Sequence, residues 1–567
     1  MKSPELAIKK IITAGIILVS VAYGIFYFNY FETPTGDYIS NIREPVLEYM
    51  KGNFPGTNFK FLPLYPLLLS LLTPLNPVAS GDPVYHTAIL LNMFLLAPYL
   101  ILVFLVYRRF LSDKAALAAL LFLGVNIYTL YMAINSELEM TLSLLIVLSL
   151  YLSLRDSKIS YVTAFFAALT KWDAVFIIPA VMFRDFFYRK RWILSIILGT
   201  CATAGVAAWL LLSVLGAKGH PYVSEIAHRG PNIYRFIVDC FLVTGGFTQW
   251  TATHAWFHES PAVRICLLAL IVIPALVTIA GLIWGVILMW RQNRKDFAHI
   301  FVFFAGFLLI HMVYQNTKDR YVMPILWILT LFLFYGISEG IAPWLKERFS
   351  RLTAKTQPAI GAVLAAAALA LCAVSFGAIC RDDSAAHCAF AALFTILMAV
   401  VILIGAGKKI TLNNAALILA CGILINLMVY YGVRAMDHHG MSRVEFKQVA
   451  LWYKENAVDS DRMLISETNV PKYYSGFGDE KFILSYFIKG TTVTELVPEL
   501  AGLKATYVFV DDFYIRRLPY KDPNAIDRKA FVFKEIRDRG ESTGHFKLVK
   551  TFHTRGGITS YLYRFIP

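Results

Sequence analysis

Residues 86–107 read HTAILLNMFLLAPYLILVFLVY, a run of 22 residues without Lys, Arg, Asp or Glu. The run ends at Arg108 and Arg109, and basic residues commonly mark the cytoplasmic end of a membrane helix. An α-helix needs about 20 apolar residues to cross the hydrocarbon core of a bilayer. This stretch therefore predicts a membrane-spanning helix, and similar stretches recur along the chain.

The composition of the whole chain supports this interpretation. Of its 567 residues, 57% are hydrophobic and only 16% are charged, and the mean hydropathy is +0.59. Soluble proteins carry about 25% charged residues, so a polytopic membrane protein is expected. The net charge of +15 does not indicate nucleic-acid binding, because Lys and Arg cluster in short loops between apolar runs, where the positive-inside rule explains them.

About thirteen membrane segments are predicted, most of them from windows of roughly 20 apolar residues. The first should be an uncleaved helix, because the bulky residues 26–30 stand where small residues would mark a cleavage site. Eleven of the segments lie near residues 11–31, 86–107, 115–133, 138–154, 192–214, 265–290, 297–314, 321–340, 358–379, 386–406 and 412–433.

The remaining two segments come from residues 159–183, which are basic at both flanks. Arg155 and Lys158 precede this stretch, and Arg184 and three further basic residues follow it. A single crossing would place one strongly basic flank outside. The sequence therefore predicts two short helices that turn at residues 171–173 and keep both flanks cytoplasmic.

This topology places the N-terminus in the cytoplasm and residues 434–567 outside it. Residues 1–433 form the membrane domain, and residues 434–567 alternate strand-like runs with amphipathic helices, which is typical of a small soluble α/β domain. The expected fold class is mainly α, a polytopic membrane helix bundle with a C-terminal soluble α/β domain. The outer domain lacks Asn-x-Ser/Thr sequons, which favours a bacterial inner membrane.

Asp37 follows the first predicted span on the outer side. It could be a solvated loop carboxylate or a cap on a helix that begins near Ile39. Alternatively, a partly desolvated carboxylate could act as a general base toward an acceptor hydroxyl or amine. Both interpretations remain open from the residues alone.

Glu137 and Glu139 lie in the predicted turn at the outer end of the helix at 138–154. Either could simply complement the dipole at the helix N-terminus. Side chains two residues apart diverge around a helix, so the two carboxylates are not expected to face one pocket. One of them is predicted to face the site that contains Asp37.

Four basic residues are predicted on the outer face, next to Pro, Trp, Asp or Tyr. Such residues commonly extend toward lipid headgroups. They could instead stabilise the negative charge that develops on a lipid-phosphate leaving group. The four residues are Lys60, Lys171, Lys318 and Arg320.

Neither the histidines nor the cysteines indicate a metal site. The histidines of the outer loop at about 215–264 match no zinc spacing, and the seven cysteines show no metal-ligand pattern. Cys380 and Cys388 flank a short polar segment, where they could form a disulfide or remain two free thiols. We therefore expect no required cofactor; a divalent metal could take part, but no residue pattern supports one.

Several short motifs together resemble the GT-C membrane glycosyltransferases. The likeness covers roughly residues 10–340 and is greatest to the protein O-mannosyltransferase and lipid A aminoarabinose transferase branch, which uses polyprenyl-phosphate sugars. The motifs are Asp37, the run KFLPLYPLLL at 60–69, Leu138-Glu139, AALTK at 167–171 and DRYVMP at 319–324.

The resemblance implies roles for individual residues. Asp37 corresponds to the catalytic acid of the first loop and Glu139 to the second acidic position, while Lys60 and Arg320 correspond to cations near the lipid phosphate. Many relatives carry paired acids in the first loop, but Asp37 is followed by Tyr38, which argues against a bridged metal. Tyr38, Glu137 and Tyr321 adjoin these positions and are predicted to contact substrate.

The sequence thus predicts inverting transfer of one sugar from an undecaprenyl- or dolichyl-phosphate donor to an extracytoplasmic acceptor, in contact with membrane lipids. A transporter or lipid flippase is the rival hypothesis, and it would place ionisable residues near the bilayer midplane. A noncatalytic assembly protein is the third hypothesis, favoured if the outer carboxylates prove dispensable.

Overall fold

The computed structural model describes residues 33–53, 62–77, 82–124, 126–217, 233–245, 261–313, 319–344, 347, 443–511, 528–553 and 559–567. The chain divides into two compact units. The first comprises Met1–Phe26 and Pro45–Ala435, and the second comprises Tyr27–Glu44 and Met436–Pro567. The segment around Asp37 therefore belongs to the same unit as the C-terminal residues.

The part of the chain before residue 345 is mainly helical where it is described, as predicted. Its α-helices are α1 (Gly36–Tyr38), α2 (Glu44–Met50), α3 (Leu64–Leu72), α4 (Pro83–Phe110), α5 (Asp113–Gly124), α6 (Ile127–Ile134), α7 (Glu139–Leu154), α8 (Ile159–Ala168), α9 (Ile177–Phe183), α10 (Trp192–Ala217), α11 (Ile233–Gly245), α12 (Pro261–Gln292), α13 (Arg294–Val313) and α14 (Leu326–Gly336). Turns of 3-10 helix occur at Thr73–Leu75, Trp172–Phe176 and Asp319–Ile325, and π-helical turns at Ile39–Arg43, Arg184–Tyr188 and Ile337–Ile341.

Four helices among the described residues are long and apolar enough to cross a membrane. They are Pro83–Phe110, Trp192–Leu212, Arg294–Met312 and Arg320–Trp344. They match four of the spans expected from the sequence, which supports a membrane location. The total of about thirteen segments stays a prediction, because the expected spans near 11–31, 358–379, 386–406 and 412–433 lie outside the described residues.

The span expected at 115–133 is divided, and the prediction of a single helix there is wrong. Helix α5 ends at Gly124, and α6 begins at Ile127. Asn126 has extended backbone angles, and its side chain accepts a hydrogen bond from the Tyr128 backbone N–H at 2.9 Å. An asparagine N-cap starts a new helix at this point, although the surrounding apolar run is continuous.

The short hairpin expected at 159–183 is confirmed. Arg184, which follows α9, lies 3.9 Å from Asp156 in the turn between α7 and α8, and Arg189 donates to the carbonyl of Ser153. At the other end, Lys171 lies 3.8 Å from Glu139, the first residue of α7. Both basic flanks therefore lie at one end of α7, and the turn between α8 and α9 lies at the other end.

Glycines bring α12 and α14 into direct backbone contact. A Cβ atom on Gly336 would lie 1.9 Å from the carbonyl oxygen of Gly281, and one on Gly285 would lie 1.9 Å from the carbonyl oxygen of Phe332. Small residues permit such close packing between membrane helices. This contact holds α14, which directly follows the 3-10 turn that carries Arg320 and Tyr321.

The second unit contains a five-stranded mixed sheet, which confirms the α/β character expected of the C-terminal residues. The strand order is β2-β1-β3-β5-β4, with β2, β1 and β3 parallel and the other pairs antiparallel. The elements are α15 (Val444–Asn456), β1 (Met463–Ile465), α16 (Asn469–Ser475), β2 (Phe482–Leu484), α17 (Val493–Gly502), β3 (Tyr507–Val510), α18 (Arg528–Arg539), β4 (Phe546–His553) and β5 (Thr559–Phe565).

The core of this unit forms where α17 and α18 cover the sheet. Leu464 and Val508 from the central strands pack in one cluster with Leu500 of α17 and Ile536 of α18, and each is fully buried. Because parallel strands bury both faces, β1 and β3 are apolar throughout instead of alternating. Strands β1 and β3 are parallel neighbours, so the residues that follow their carboxyl ends, Ser466 and Asp511, lie side by side.

One carboxylic acid is buried beside these strand ends. Glu445, in the first turn of α15, is 1% exposed. Burial raises the pKa of Glu445 to about 7, and the negative charge of Asp511 adds to the rise. Asp511 itself accepts a hydrogen bond of 2.5 Å from the Ser466 hydroxyl. Near neutral pH, Glu445 is therefore partly protonated in the folded protein.

This pKa gives the folded protein a pH dependence that Glu445→Gln should remove. Between pH values of about 4.5 and about 7, the unfolded chain loses the Glu445 proton while the folded chain keeps it. The free energy of unfolding therefore falls as pH rises through this window. This pKa shift lowers the free energy of unfolding above the window by on the order of 3 kcal/mol, relative to its value below the window. Thermal unfolding of the solubilised protein at several pH values measures it. The exposed Glu455→Gln is the matched control, and an unchanged pH profile in Glu445→Gln would contradict the assignment.

Candidate functional site

The turn before α7 is fixed by buried polar contacts. Asn92, a fully buried residue of α4, donates from its side-chain amide to the carbonyl oxygens of Asn135 and Glu137, each at 2.6 Å. The Tyr65 hydroxyl donates to the carbonyl of Ser136 at 3.1 Å. These bonds pair backbone carbonyl groups of an irregular turn, which would cost free energy if they were buried without a hydrogen-bond partner. The turn can therefore present its two glutamates in fixed positions.

Both glutamates reach the same group of cations, so the expectation that they could not face one pocket is wrong. Arg320 donates to Glu137 Oε2 at 2.5 Å, and Lys171 Nζ lies 3.8 Å from Glu139 Oε1. Both cations lie over the ring of Tyr321, at 4.4 Å for Lys171 and 5.6 Å for Arg320. That expectation assumed that both residues lie on one helix. Helix α7 begins at Glu139, so Glu137 lies in the turn before it.

Lys171 is buried, which contradicts the alternative that it extends to lipid headgroups. Its side chain is 8% exposed and its Nζ lies 3.1 Å from Asp173 Oδ2. Arg320 is also largely enclosed, with 15% of its side chain exposed. Buried charges are costly unless they are paired, and here each cation has a carboxylate within 4 Å.

Asp173 and His311 complete the group, and the sequence analysis had assigned neither of them to the site. His311 Nε2 lies 3.3 Å from Asp173 Oδ2, and its Nδ1 lies 2.9 Å from the carbonyl oxygen of Phe307. A carbonyl oxygen only accepts hydrogen bonds, so His311 Nδ1 is placed to donate to Phe307, while Nε2 faces the Asp173 carboxylate. The imidazole ring stacks on Phe236 and on Phe307, with centroid distances of 4.5 and 4.4 Å.

These residues form what we term the ion cluster, which contains three acidic side chains, one lysine, one arginine, one histidine and one tyrosine. Several buried polar atoms beside it have no hydrogen-bond partner among the described residues, namely Glu139 Oε2, Asn92 Oδ1, Asn135 Nδ2 and Ser136 Oγ. Buried polar groups are normally paired, so these atoms are suited to bind a polar ligand. The ion cluster consists of Glu137, Glu139, Lys171, Asp173, His311, Arg320 and Tyr321.

Asp37 lies in the second unit, near the start of a helical segment, and it does not cap that segment. Thr35 is the N-cap, because its side chain accepts from the Tyr38 backbone N–H at 3.1 Å. The alternative that Asp37 is a helix cap is therefore wrong. Asp37 is partly exposed, whereas the neighbouring Tyr38 is fully buried.

Other predicted features lie outside the described residues. These are Lys60, Lys318, Cys380, Cys388 and most of the outer loop at 215–264. Within the described ranges, no group of three or more His, Cys, Asp or Glu side chains is arranged to hold a metal ion.

Comparisons with known proteins identify the fold. No family model matches the chain, and no curated protein sequence matches it. Among solved structures, ArnT from Cupriavidus metallidurans bound to undecaprenyl phosphate matches with a TM-score of 0.52 and 12% identity, over 97% of this chain and 98% of that one. The archaeal oligosaccharyltransferase AglB from Archaeoglobus fulgidus, in complex with an inhibitory peptide and a dolichol-phosphate, has a TM-score of 0.49 and 11% identity, over 96% of this chain and 74% of that one.

The match to ArnT confirms the resemblance to GT-C membrane glycosyltransferases as a likeness of fold. It extends over nearly the whole chain, whereas the sequence motifs covered roughly residues 10–340. The likeness includes the C-terminal residues, for which the sequence had offered no motif.

Proposed function

We propose that this protein is an integral-membrane glycosyltransferase that moves a sugar from a polyprenyl-phosphate donor to an extracytoplasmic glycan, lipid or protein. The observation that carries the proposal is the burial of Lys171 and Arg320 side by side over Tyr321, in a chain with the fold of ArnT. The ArnT structure is bound to undecaprenyl phosphate. Lysine and arginine side chains bind phosphate groups through strong, charge-assisted hydrogen bonds.

The ion pairs of the ion cluster fix the positions of its two cations, Lys171 and Arg320. Lys171 and Arg320 are held by Asp173 and Glu137, so the two cations are positioned before any ligand arrives. Preorganised cations stabilise charge that develops during reaction without reorganising. A phosphate that becomes a leaving group gains negative charge at this moment, so the cations bind the departing lipid phosphate more strongly than the intact donor.

The proposed reaction is a single displacement at the anomeric carbon of the donor sugar. The acceptor hydroxyl or amine loses its proton to Asp37 as it forms the new bond to the anomeric carbon. The bond between this carbon and the phosphate oxygen breaks with its electron pair, and the lipid phosphate departs toward Arg320 and Lys171. The configuration of the sugar is inverted. We assign Lys60 and Lys318 to the same phosphate from the sequence motifs alone.

Glu139 is the second acidic residue in this scheme. Its Oε1 lies 3.8 Å from Lys171 Nζ, while its Oε2 has no partner within the described part of the chain. A carboxylate oxygen accepts hydrogen bonds from sugar hydroxyls, and the side chains of Asn92 and Ser136 offer further polar atoms nearby. We propose that this side of the ion cluster holds the sugar, with Glu137 and Tyr321 assigned to substrate contacts. The substrate contact of Tyr38 is assigned from its sequence position beside Asp37 alone.

A transporter or flippase remains the rival function. Such proteins carry ionisable groups near the bilayer midplane. The charged residues of the ion cluster instead belong to helix ends: Glu139 opens α7, and Arg320 lies at the start of the 3-10 turn before α14. This position favours surface chemistry over a conducting path.

We propose that the N-terminus is cytoplasmic and that residues 434–567 are extracytoplasmic in a bacterial inner membrane. The confirmed hairpin supports this orientation, because it returns both basic flanks of 159–183 to one side. A topology reporter fused after Arg434 should be extracytoplasmic, and one fused after Lys190 should be cytoplasmic. A cytoplasmic signal after Arg434 would exclude the proposed site of reaction.

The proposed function is tested in cells by mass spectrometry of surface glycans and lipids. Removal of the protein should abolish one sugar substituent, and the wild-type chain should restore it. The Arg108→Ala variant, altered at a partly exposed ion pair with Asp113 at the end of α4, should restore it equally. An unchanged set of surface sugars in cells lacking the protein would contradict the proposal.

A further inference from the structure

The segment that carries Asp37 is packed within the second unit through Gly36. The carbonyl of Gly36 accepts from the side-chain amide of Asn469 at 3.5 Å, a long hydrogen bond. A Cβ atom on Gly36 would lie 2.9 Å from Arg443 Nη1, 3.2 Å from Glu467 Oε1 and 3.3 Å from Asn469 Nδ2. The three polar side chains therefore enclose the backbone immediately before Asp37.

These three residues are themselves held in place. Arg443 precedes α15 with a φ of +76°, a left-handed conformation that is uncommon for a residue other than glycine. Its Nη1 lies 3.9 Å from Glu467 Oε2, and Glu467 Oε1 accepts from the Asn469 backbone N–H at 2.9 Å. Backbone strain of this kind persists only where the surroundings fix it, and it is common at functional sites.

Further contacts extend along the segment after Asp37. Arg43 lies over the ring of Tyr473 at 5.2 Å, and Tyr473 belongs to α16, the helix that begins at Asn469. Tyr38 and Ile42 are 0% and 1% exposed. The segment is therefore anchored by apolar burial as well as by the polar contacts at Gly36.

We propose that Gly36, Arg443, Glu467 and Asn469 are positioning residues for Asp37, so that the C-terminal domain fixes the general base of the transfer reaction. This inference rests on the proposed function of Asp37. It gives the C-terminal domain a part in the chemical step. A displacement of about 1 Å in a catalytic group can lower a rate by about 10²-fold, so small changes at this contact affect turnover.

Gly36→Ala tests the contact with little change elsewhere. At a helical position without steric contact, alanine is neutral or stabilising relative to glycine. Here the added methyl group must displace Arg443 or its partners. We expect the kcat of sugar transfer to fall about 10- to 10²-fold with the donor KM and the melting temperature unchanged. Gly502→Ala is the matched control, because a Cβ on Gly502 meets nothing within 4 Å and should leave kcat unchanged.

A second variant removes the hydrogen bond without adding bulk. Asn469→Asp keeps the shape of the side chain but places a carboxylate oxygen against the Gly36 carbonyl, and it should also lower kcat. Gly36→Ala combined with Asp37→Asn should cause no loss beyond that of Asp37→Asn, because both act on one proton transfer.

The outcomes separate this inference from the proposed function. Normal turnover in Asp37→Asn would remove Asp37 as the base, and the positioning role would fail with it. A strong loss in Asp37→Asn together with wild-type kcat in Gly36→Ala and Asn469→Asp would overturn the positioning role alone. A multiplicative further loss in the double variant would show that Gly36 acts independently of Asp37, which also overturns it.

Discussion

Asp37→Asn is expected to lower sugar transfer by roughly 10²–10⁴-fold while donor binding is retained, because only the proton acceptor is lost. The substitution preserves the shape of the side chain. It also leaves the start of the helical segment intact, since Thr35 provides the cap. Transfer by the purified protein in nanodiscs, measured beside donor binding, gives both quantities.

The control for this variant is Asp479→Asn, which neutralises a carboxylate that is 88% exposed in the same unit and pairs with Lys472. Exposed pairs of this kind contribute about 0–1 kcal/mol, so turnover should remain at the wild-type level. Near-normal turnover in Asp37→Asn would remove Asp37 from the mechanism. Glu139 would then be the candidate base.

Arg320→Ala is expected to lower transfer by about 10²–10³-fold, because a donor to the leaving phosphate is lost. Arg320→Lys should recover only part of the activity, since an ammonium group lacks the planar fork that binds two phosphate oxygens at once. The Arg108→Ala variant serves here as the matched control. Full activity in Arg320→Ala would show that the guanidinium has no part in the reaction.

Loss of Arg320 also leaves the buried carboxylate of Glu137 without this cation, and this effect could lower activity through stability alone. The double variant Glu137→Gln with Arg320→Gln separates the two causes. If Arg320 only balances Glu137, neutralising both residues should restore transfer to the level of Glu137→Gln alone, because Glu137 is also assigned a substrate contact. If Arg320 binds the phosphate, the double variant should fold and remain inactive, and this is the result we expect.

Charge distribution and hydrophobic periodicity predicted much of the architecture. The hairpin at 159–183 followed from its basic flanks, which cannot easily lie on opposite sides of a membrane. The C-terminal helices followed from amphipathic periodicity, which predicts them near 443–456, 491–503 and 527–539. Helices α15, α17 and α18 begin one or two residues after these positions. Such features depend on local sequence and on the bilayer, so they can be predicted without knowledge of tertiary contacts.

Part of the site was harder to predict, because Asn92 and His311 are lone polar residues in apolar runs. Asn92 is the only amide within the uncharged run at 86–107, and His311 lies within the apolar span expected at 297–314. A lone polar residue of this kind could equally be a satisfied core residue. The positions of Glu137 and Glu139 depended on the first residue of α7, and helix boundaries are poorly defined by sequence. Asp173 was identified as part of a turn, but its pairing with Lys171 and His311 is a tertiary contact.

The most direct test of the central claim is donor turnover by the purified wild-type protein. Nanodiscs containing the protein would be incubated with a polyprenyl phosphate that bears a radiolabelled sugar, together with an extract of envelope acceptors. The account predicts transfer of label to an acceptor, with one sugar-free polyprenyl phosphate released for each sugar transferred, and a large loss of both in Asp37→Asn. Movement of the intact donor lipid across vesicles, with no cleavage of the bond between sugar and phosphate, would contradict the account and favour a flippase.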